Sequence, residues 1–533
     1  MNALSFARRL LASLAVILAL AGPLRAQQEP AISALATANF DELARGIEGL
    51  ALSGHPNALA IVEALRDGRL MFRQADRAVY WRDAAGAMRD AGSGEVTEGV
   101  VAGQLRPLRL NNRVRRAIDA AIGALSLSNP DPAVRLAAAE RVFRSRDPEA
   151  IPALDAQLAR ETEARIRRAL QAARAAAVLA SARPDEEKIA AIGVIVARGG
   201  LDARGLLAGQ ASASPAVAEA AAAGVAAIDR RQAMIRIVQD VYYGISLGSV
   251  LLLAAIGLAV TFGTMGVINM AHGEMVMLGA YTTFVVQEAI RQNAPHLFDW
   301  SLAFAVPLAF LVSALAGAIV ERTIIRFLYG HPLETLLATF GLSLVMQQAV
   351  RTTFGPNNRE VGNPSWMSGA FELGGVLITW NRLWIIVFAA LVLFGLMLVL
   401  RRTAFGLAVR AVTQNRRMAA SMGIRTPWVD CATFALGSGV AGLAGVALSQ
   451  IDNVSPNLGQ SYIIDSFMVV VFGGVGNLWG TLVAALSLGI VNKMLEPLAG
   501  AVLGKILVLL LLVLFIQRKP RGLFPLKGRA VES

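Results

Sequence analysis

From Val241 onward the chain carries one apolar run after another, more than any soluble fold of this length buries. The runs fall at roughly 242–262, 275–290, 301–320, 333–350, 383–400, 428–450, 467–491 and 499–516. Most approach the ~20 residues that a helix needs to cross a bilayer. Backbone groups in lipid must be satisfied within the segment, so these runs are helices. Small residues inside them, as in "GSGVAGLAGVALS", suit close helix–helix packing. The fold class expected is an all-α polytopic membrane protein of about eight apolar segments, some broken or re-entrant. An exported, mainly helical domain with a small β-rich insert precedes it.

The first 240 residues differ in kind. Residues 241–533 hold only 12 acidic and 19 basic side chains, while the first 240 hold 26 and 31. The net charge of +12 raises nucleic acid as a partner. Much of that excess, however, sits in short clusters beside apolar runs, where the positive-inside rule expects it. No nucleic-acid partner is expected. One cysteine, Cys431, and four histidines exclude an intrachain disulfide and a dense Cys/His metal site.

Arg8 and Arg9 precede an apolar stretch, Leu10 to Ala21, then a Gly-Pro break and small residues up to Ala26. That is the layout of a signal peptide over 1–26. The alternative is an uncleaved membrane helix, for which the run is short. Residues 27–231 are then expected to form a periplasmic, mainly helical domain. "DGRLMFRQADRAVYWRD" and "GEVTEGVVAGQLRPLRL" suggest a β-rich insert over 66–110. Residues 112–231 are Ala-rich, with turns such as "NPDP" between amphipathic runs, and resemble HEAT-like helix pairs or a plain helical bundle.

Orientation follows from charge. Arg401, Arg402, Arg410, Arg416, Arg417 and Arg425 put the loop between the fifth and sixth segments in the cytoplasm, and Arg322 and Arg326 put the loop after the third on the same side. Residue 240 is then outside, in agreement with the signal peptide. The basic C-terminal "IQRKPRGLFPLKGR" should be cytoplasmic, yet eight full passes would end outside. One segment must be re-entrant or a half-helix, and "FGGVGNLWG" (472–480) is the place indicated.

Two interruptions look alike. "FGTMGVIN" (262–269) and "FGGVGN" (472–477) each place Phe-Gly, Gly and Asn in apolar context, with Gly263, Gly266, Gly473, Gly474 and Gly476 as helix breaks. Broken helices of internal repeats meet at the substrate site in many transporters; ordinary glycine-rich turns are the alternative. A central intramembrane charge costs roughly 2.5–3.5 kcal/mol on insertion scales, so each polar residue there is a candidate. Glu274, Asp452 and Asp465 lie at segment ends, where a solvated cap is the plainer reading. Lys493 and Lys505 are expected to snorkel. His272 suits a packed structural role as well as that of a ligand or proton carrier. "GAVLGK" (500–505) falls one residue short of a P-loop and lacks the following Ser/Thr, so no nucleotide site is read here.

"RRTAFGLAVRAVTQNRRMAASMGI" (401–424) alternates basic with small residues in a short helical pattern, with Gly406 and Gly423 marking the ends. It suits docking into a groove on a cytoplasmic partner; a helix held by anionic lipid is the alternative.

Residues 235–525 resemble the branched-chain amino-acid type of ABC importer permease. "GLAVTFGTMGVINMAHGEMVMLGAY" is similar to that family's first motif, "GLAVRAVTQNRRMAASMGI" to its cytoplasmic coupling helix, and "SFMVVVFGGVGNLWGTLVAA" to its late glycine-rich motif. A signal peptide with an exported domain of roughly 200 residues ahead of the permease, and "SYIIDSFMVVVFGGVGNLWGT", resemble the urea-transporter permease subgroup. The resemblance implies a multi-pass protein of the bacterial inner membrane. It also implies a second permease subunit, two cytoplasmic ABC ATPase subunits and a periplasmic solute-binding protein as partners. ATP hydrolysis then belongs to those separate ATPases: this chain is no enzyme and binds no cofactor or metal. Gly406, Arg410, Asn415, Arg416 and Gly423 are the expected coupling residues. The expected function is ATP-driven urea import by alternating access, with branched-chain amino acids or short amides as alternative solutes. A passive channel for small neutral solutes and a membrane-anchored sensor are rivals. Urea offers four N–H donors and a carbonyl acceptor, which paired neutral groups meet better than a fixed cation. Asn269, Ser466 and Asn477, with His272, Glu274 and Asp465, are the substrate-path candidates.

Overall fold

The computed structural model describes residues 32–37, 39–74, 77–83, 86–97 and 105–524. The expected signal peptide, 1–26, lies outside the described residues. The chain divides into two compact units, residues 1–232 and 233–533.

In the first unit, local capping chemistry sets the helix starts. Helix α1 (Phe40–Leu52) opens on Asn39, whose side chain accepts from the Asp41 N–H, and is followed by α2 (Ala58–Arg66). Strands β1 (Leu70–Arg73), β2 (Val79–Arg82), β3 (Met88–Asp90) and β4 (Leu105–Pro107) form an antiparallel sheet in the order β3-β2-β1-β4. Its register pairs Leu70 with Trp81, Tyr80 with Asp90 and Phe72 with Arg106. Asn111 caps α3 (Asn112–Leu127) through the Val114 N–H. Asp131 caps α4 (Pro132–Ser145), with Pro132 at its first position, where a missing N–H costs nothing. Helices α5 (Ile151–Leu158), α6 (Ala164–Ala180), α7 (Asp185–Arg198) and α8 (Gly200–Ala208) follow. α6 is the axis of their core: Ile166, Leu170, Ala173, Ala176 and Leu179 are buried, and small side chains let its neighbours approach closely.

Helix α9 (Pro215–Met265) contributes its first part to that core through Val217, Ala221 and Ile228, and its remainder to the second unit. The second unit continues with α10 (His272–Asn293), α11 (Ser301–Thr323) and α12 (Pro332–Phe354). A hairpin of β5 (Ala370–Leu373) and β6 (Val376–Thr379) leads to α13 (Trp380–Arg402). Two short helices, α14 (Ala404–Gln414) and α15 (Arg416–Ser421), precede α16 (Thr426–Ser449), α17 (Leu458–Gly473) and α18 (Leu478–Arg518).

Among the described residues, six helices are long and apolar enough to cross a membrane: α9, α11 with its flanking turns, α12, α13, α16 and α18. The chain is an all-α polytopic membrane protein. α16 is buried along nearly its whole length, because small residues let its backbone touch those of its neighbours. A Cβ on Gly442 would lie 2.7 Å from the Ala309 carbonyl oxygen of α11, and one on Gly445 would lie 2.6 Å from the Ala280 nitrogen of α10. The outer helices keep Leu311, Leu315, Phe394, Leu503 and Leu510 exposed, as a lipid-facing surface requires.

The last two apolar runs are not divided as their hydropathy suggests. The run 467–491 is two helices, since α17 ends at Gly473 and α18 begins at Leu478. The run 499–516 is the far part of α18, bent at Gly500, whose φ of 77° is one that L side chains rarely adopt. Hydropathy averages across a glycine turn and so misses both boundaries. α17, at 16 residues, spans ~24 Å, less than the ~30 Å hydrocarbon core.

Candidate functional site

The first interruption doubles back on itself. α9 ends at Met265, Gly266 takes φ 68°, and the chain runs without helix to His272. There the His272 Nε2 lies 3.0 Å from the Ala254 carbonyl, a bond that fixes the ring. Ala254 is three turns back along α9, so α10 starts ~16 Å above the end of the helix before it. Two side chains hold this stretch: the Asn269 Oδ1 accepts the Ala271 N–H at 3.0 Å, and the Thr339 Oγ1 of α12 accepts the Met270 N–H at 3.1 Å.

α17 also starts inside the bundle, against the start of α10. Gly273 and Gly459 face each other backbone to backbone; a Cβ on Gly459 would lie 3.0 Å from the Glu274 nitrogen. Two helix N-termini, each a positive dipole end, therefore converge.

Glu274 stands where they meet. It is 1% exposed, not a solvated cap, because α10 begins within the bundle and not at its surface. Its Oε1 accepts from the Ser343 Oγ and the Gln347 Nε2, both at 2.8 Å, while its Oε2 has no partner. A cavity of about 440 Å³ opens beside it, with Ser343, Asn457, Gln460 and Ser461 as the further polar lining and no Lys or Arg side chain. A carboxylate oxygen, an amide, hydroxyls and two helix N-termini offer a small polar solute both acceptors and donors.

The second interruption lies elsewhere. Gly474 and Gly476 take φ 100° and 81°. Asn477 caps α18, its Oδ1 accepting from Trp479 and Gly480 at 3.1 and 3.2 Å, and its Nδ2 donates to the Phe524 carbonyl at 3.2 Å. Gly473 packs on Gly480, so α17 and α18 turn back tightly. The two interruptions touch: a Cβ on Gly263 would lie 2.6 Å from the Gly476 Cα. A second cavity, about 450 Å³, has Gly263, Thr264, Gly476, Asn477, Arg401 and Arg410 in its wall.

The path candidates therefore separate. Glu274 lines the first cavity, while Asn269 and His272 are buried in the turn that leads to it, engaged with the Ala271 N–H and the Ala254 carbonyl and not part of the cavity wall. Asn477 lies at the second. The Ser466 hydroxyl is spent on its own helix, at the Tyr462 carbonyl, 2.8 Å away. Asp465 is 7% exposed, neither capping nor solvated, and its Oδ2 holds the Lys505 Nζ at 3.2 Å. Lys505 does not merely snorkel; a cation within reach of a buried carboxylate is drawn to it. No sequence motif marks Ser343, Gln347, Asn457, Gln460 or Ser461, although Ser343 and Gln347 fall one helical turn apart on α12.

The basic stretch is two helices joined at Asn415, whose side chain accepts the Met418 N–H. Gly406 is not at an end but inside α14, buried on the Leu400 backbone of α13. Gly423, with φ 87°, ends the turn after α15. Arg410 donates to the Leu400 carbonyl, and Arg416 pairs with Asp430.

A polytopic bundle with helices that start mid-bundle around a polar cavity defines a membrane permease. Residues 241–516 match the family described as branched-chain amino acid transport system / permease component, and the chain belongs to it. It is 31% identical over 295 residues to the high-affinity branched-chain amino acid transport system permease protein LivH of Escherichia coli (strain K12), covering 54% of this chain and 94% of that one. It is 29% identical over 292 residues to the corresponding protein BraD of Pseudomonas aeruginosa, with the same coverage. The ribose import permease protein RbsC of Escherichia coli (strain K12) is 26% identical over 285 residues, 51% of this chain and 83% of that one. No solved structure matches the chain.

Proposed function

We propose that this chain is the membrane permease subunit of an ATP-driven importer, and that its solute is urea. The observation that carries the reading is the cavity at Glu274. Its polar wall is one carboxylate with neutral amide and hydroxyl groups; no Lys or Arg lines it, and the one cation that reaches it, Arg351, is spent on the Asn457 Oδ1. Urea presents N–H donors to Glu274 and the Gln460 amide oxygen, and its carbonyl to the N–H groups at the starts of α10 and α17. A second reading, a branched-chain amino acid, has the apolar part of the same wall in its favour: Met270, Phe340, Ile463 and Ile464 would receive an aliphatic side chain. The named substrates of LivH and BraD point the same way.

In this reading the basic end, with α14 and α15, lies in the cytoplasm of a bacterium's inner membrane and the first unit lies in the periplasm. Splitting the run 467–491 into two arms turns eight segments into nine, so a chain that starts outside ends inside. A binding protein delivers solute to the outer side, and two cytoplasmic ATPases act on α14 and α15. A second permease chain completes the pathway. Alternating access requires helices that can part without exposing unpaired backbone to lipid. The glycine contacts at Gly273–Gly459 and Gly263–Gly476 supply such seams, one beside the cavity and one toward the basic end.

The test is uptake of labelled urea against labelled leucine by the complex reconstituted in vesicles, with and without ATP. ATP-dependent urea uptake is expected. Leucine uptake without urea uptake would replace urea by the second reading, and uptake surviving ATP depletion would replace the importer by a passive channel.

A further inference from the structure

The basic stretch between α13 and α16 does not keep all its charge on the surface. Arg416, the first residue of α15, turns inward. Its Nη1 lies 3.3 Å from the Asp430 Oδ1, and its Nη2 closes on the Oδ2; Asp430 itself, near the start of α16, is fully buried. The same guanidinium stacks over the Tyr329 ring, 4.7 Å from its centroid. The Tyr329 hydroxyl donates to the Glu321 Oε1 at 3.4 Å, and Glu321, near the end of α11, is 1% exposed. α15, the end of α11 and the start of α16 are thus joined by one chain of charged and aromatic groups.

The energetics make this a tie and not a chance contact. A carboxylate taken out of water loses several kcal/mol of solvation, which only a close, hydrogen-bonded cation offsets. Releasing Arg416 would strand Asp430, so α15 cannot shift away without cost. α11 and α16 in turn pack so closely that a Cβ on Gly317 would lie 2.5 Å from the Ser438 Cβ. From α11, the Ser313 Oγ donates to the Met275 carbonyl at 3.0 Å, the residue after Glu274. The path from α15 to the cavity runs through rigid, directly touching elements.

We propose that Asp430 is a positioning residue: with Tyr329 and Glu321 it anchors α15 to the α11–α16 pair, so that a displacement of α15 reaches Glu274. This rests on the importer reading above and deepens it. Arg416 then commits its charge to the buried Asp430, although its side chain stays partly exposed.

The experiment compares native and variant complexes, reconstituted whole, for ATP hydrolysed and solute moved. Asp430→Asn should leave hydrolysis within about twofold of native and lower solute moved per ATP roughly tenfold. Arg416→Lys keeps the charge but loses the fork and the stack. It should lower the same ratio severalfold, and it takes over as the test if Asp430→Asn does not assemble. A native ratio in the assembled variant overturns the proposal, as does a parallel fall of hydrolysis and uptake, the mark of a purely structural role. A native complex that hydrolyses ATP and moves no solute brings down the importer reading and this proposal together. A native complex that transports, beside a variant with the native ratio, removes only Asp430.

Discussion

Glu274 holds two bonds on one oxygen and none on the other, an asymmetry that a purely structural carboxylate would not need. A buried acceptor left unpaired costs about 1–3 kcal/mol, and a solute N–H that satisfies it recovers that cost. Glu274→Gln exchanges the free acceptor for a donor while Ser343 and Gln347 keep an oxygen to bind. The expected result is a KM for uptake raised about tenfold or more, which corresponds to one charged hydrogen bond, with basal ATP hydrolysis unchanged. An unaltered KM would take Glu274 out of the solute's path. By the same reasoning Asn477 is not a solute contact: its oxygen and its nitrogen are both engaged by backbone.

At the scale of elements, the site depends on two helices starting at one place. Gly459→Ala would put a Cβ 2.5 Å from the Gly273 carbonyl carbon and 3.0 Å from the Glu274 nitrogen. These are backbone atoms that no rotamer change can move aside. Overpacking of this kind costs about 1–3 kcal/mol. The variant should melt lower in detergent and lose uptake, whereas Gly341→Ala, with open space around its Cβ position, should do neither. Equal behaviour of the two variants would show that the α10–α17 seam is not strained by a Cβ. Much of this arrangement is legible in the sequence and some is not. Glycines with Asn inside apolar runs mark where helix gives way, since Gly266 and Gly474 adopt backbone angles that other residues resist. Where the next helix restarts is not legible, because contacts such as Gly273 on Gly459 set it across nearly two hundred residues. The polar wall had its own mark: Thr335, Thr339, Ser343 and Gln347 recur every fourth residue of α12, and all four are buried. In lipid the polar stripe of a helix faces inward, the reverse of a soluble helix, and a reading by hydropathic length passes over it. The inward turn of Arg416 left no mark, since six arginines in one loop look alike until a buried carboxylate selects among them.

At the scale of the whole molecule, two units carry separate cores. The second is held by backbone contact among small residues, and the family match begins within it, at residue 241. The first carries several ion pairs around its helices, and these should govern how it responds to acid. Its best-formed pair joins α4 to the turn after α5. Arg135 grips Glu161 with both arms, Nε to Oε2 at 2.8 Å and Nη2 to Oε1 at 3.1 Å, and the Glu161 side chain is 2% exposed. That grip, reinforced by the Glu163 N–H and Gln157, lowers the Glu161 pKa from 4.5 to about 2. A carboxyl with a depressed folded-state pKa adds stability in full above its unfolded value and loses it as pH falls through the folded one. The window is therefore pH 4.5 down to about 2. Glu161→Gln removes the charge and should cost about 1–3 kcal/mol at neutral pH. Hydrogen exchange of α4–α6 amides in the intact chain, native against variant at each pH, reads this directly. The gap in protection should be widest at neutral pH, shrink below 4.5 and close near 2. A gap that stays constant down to the lowest pH would mean that Glu161 contributes through packing and not through its charge.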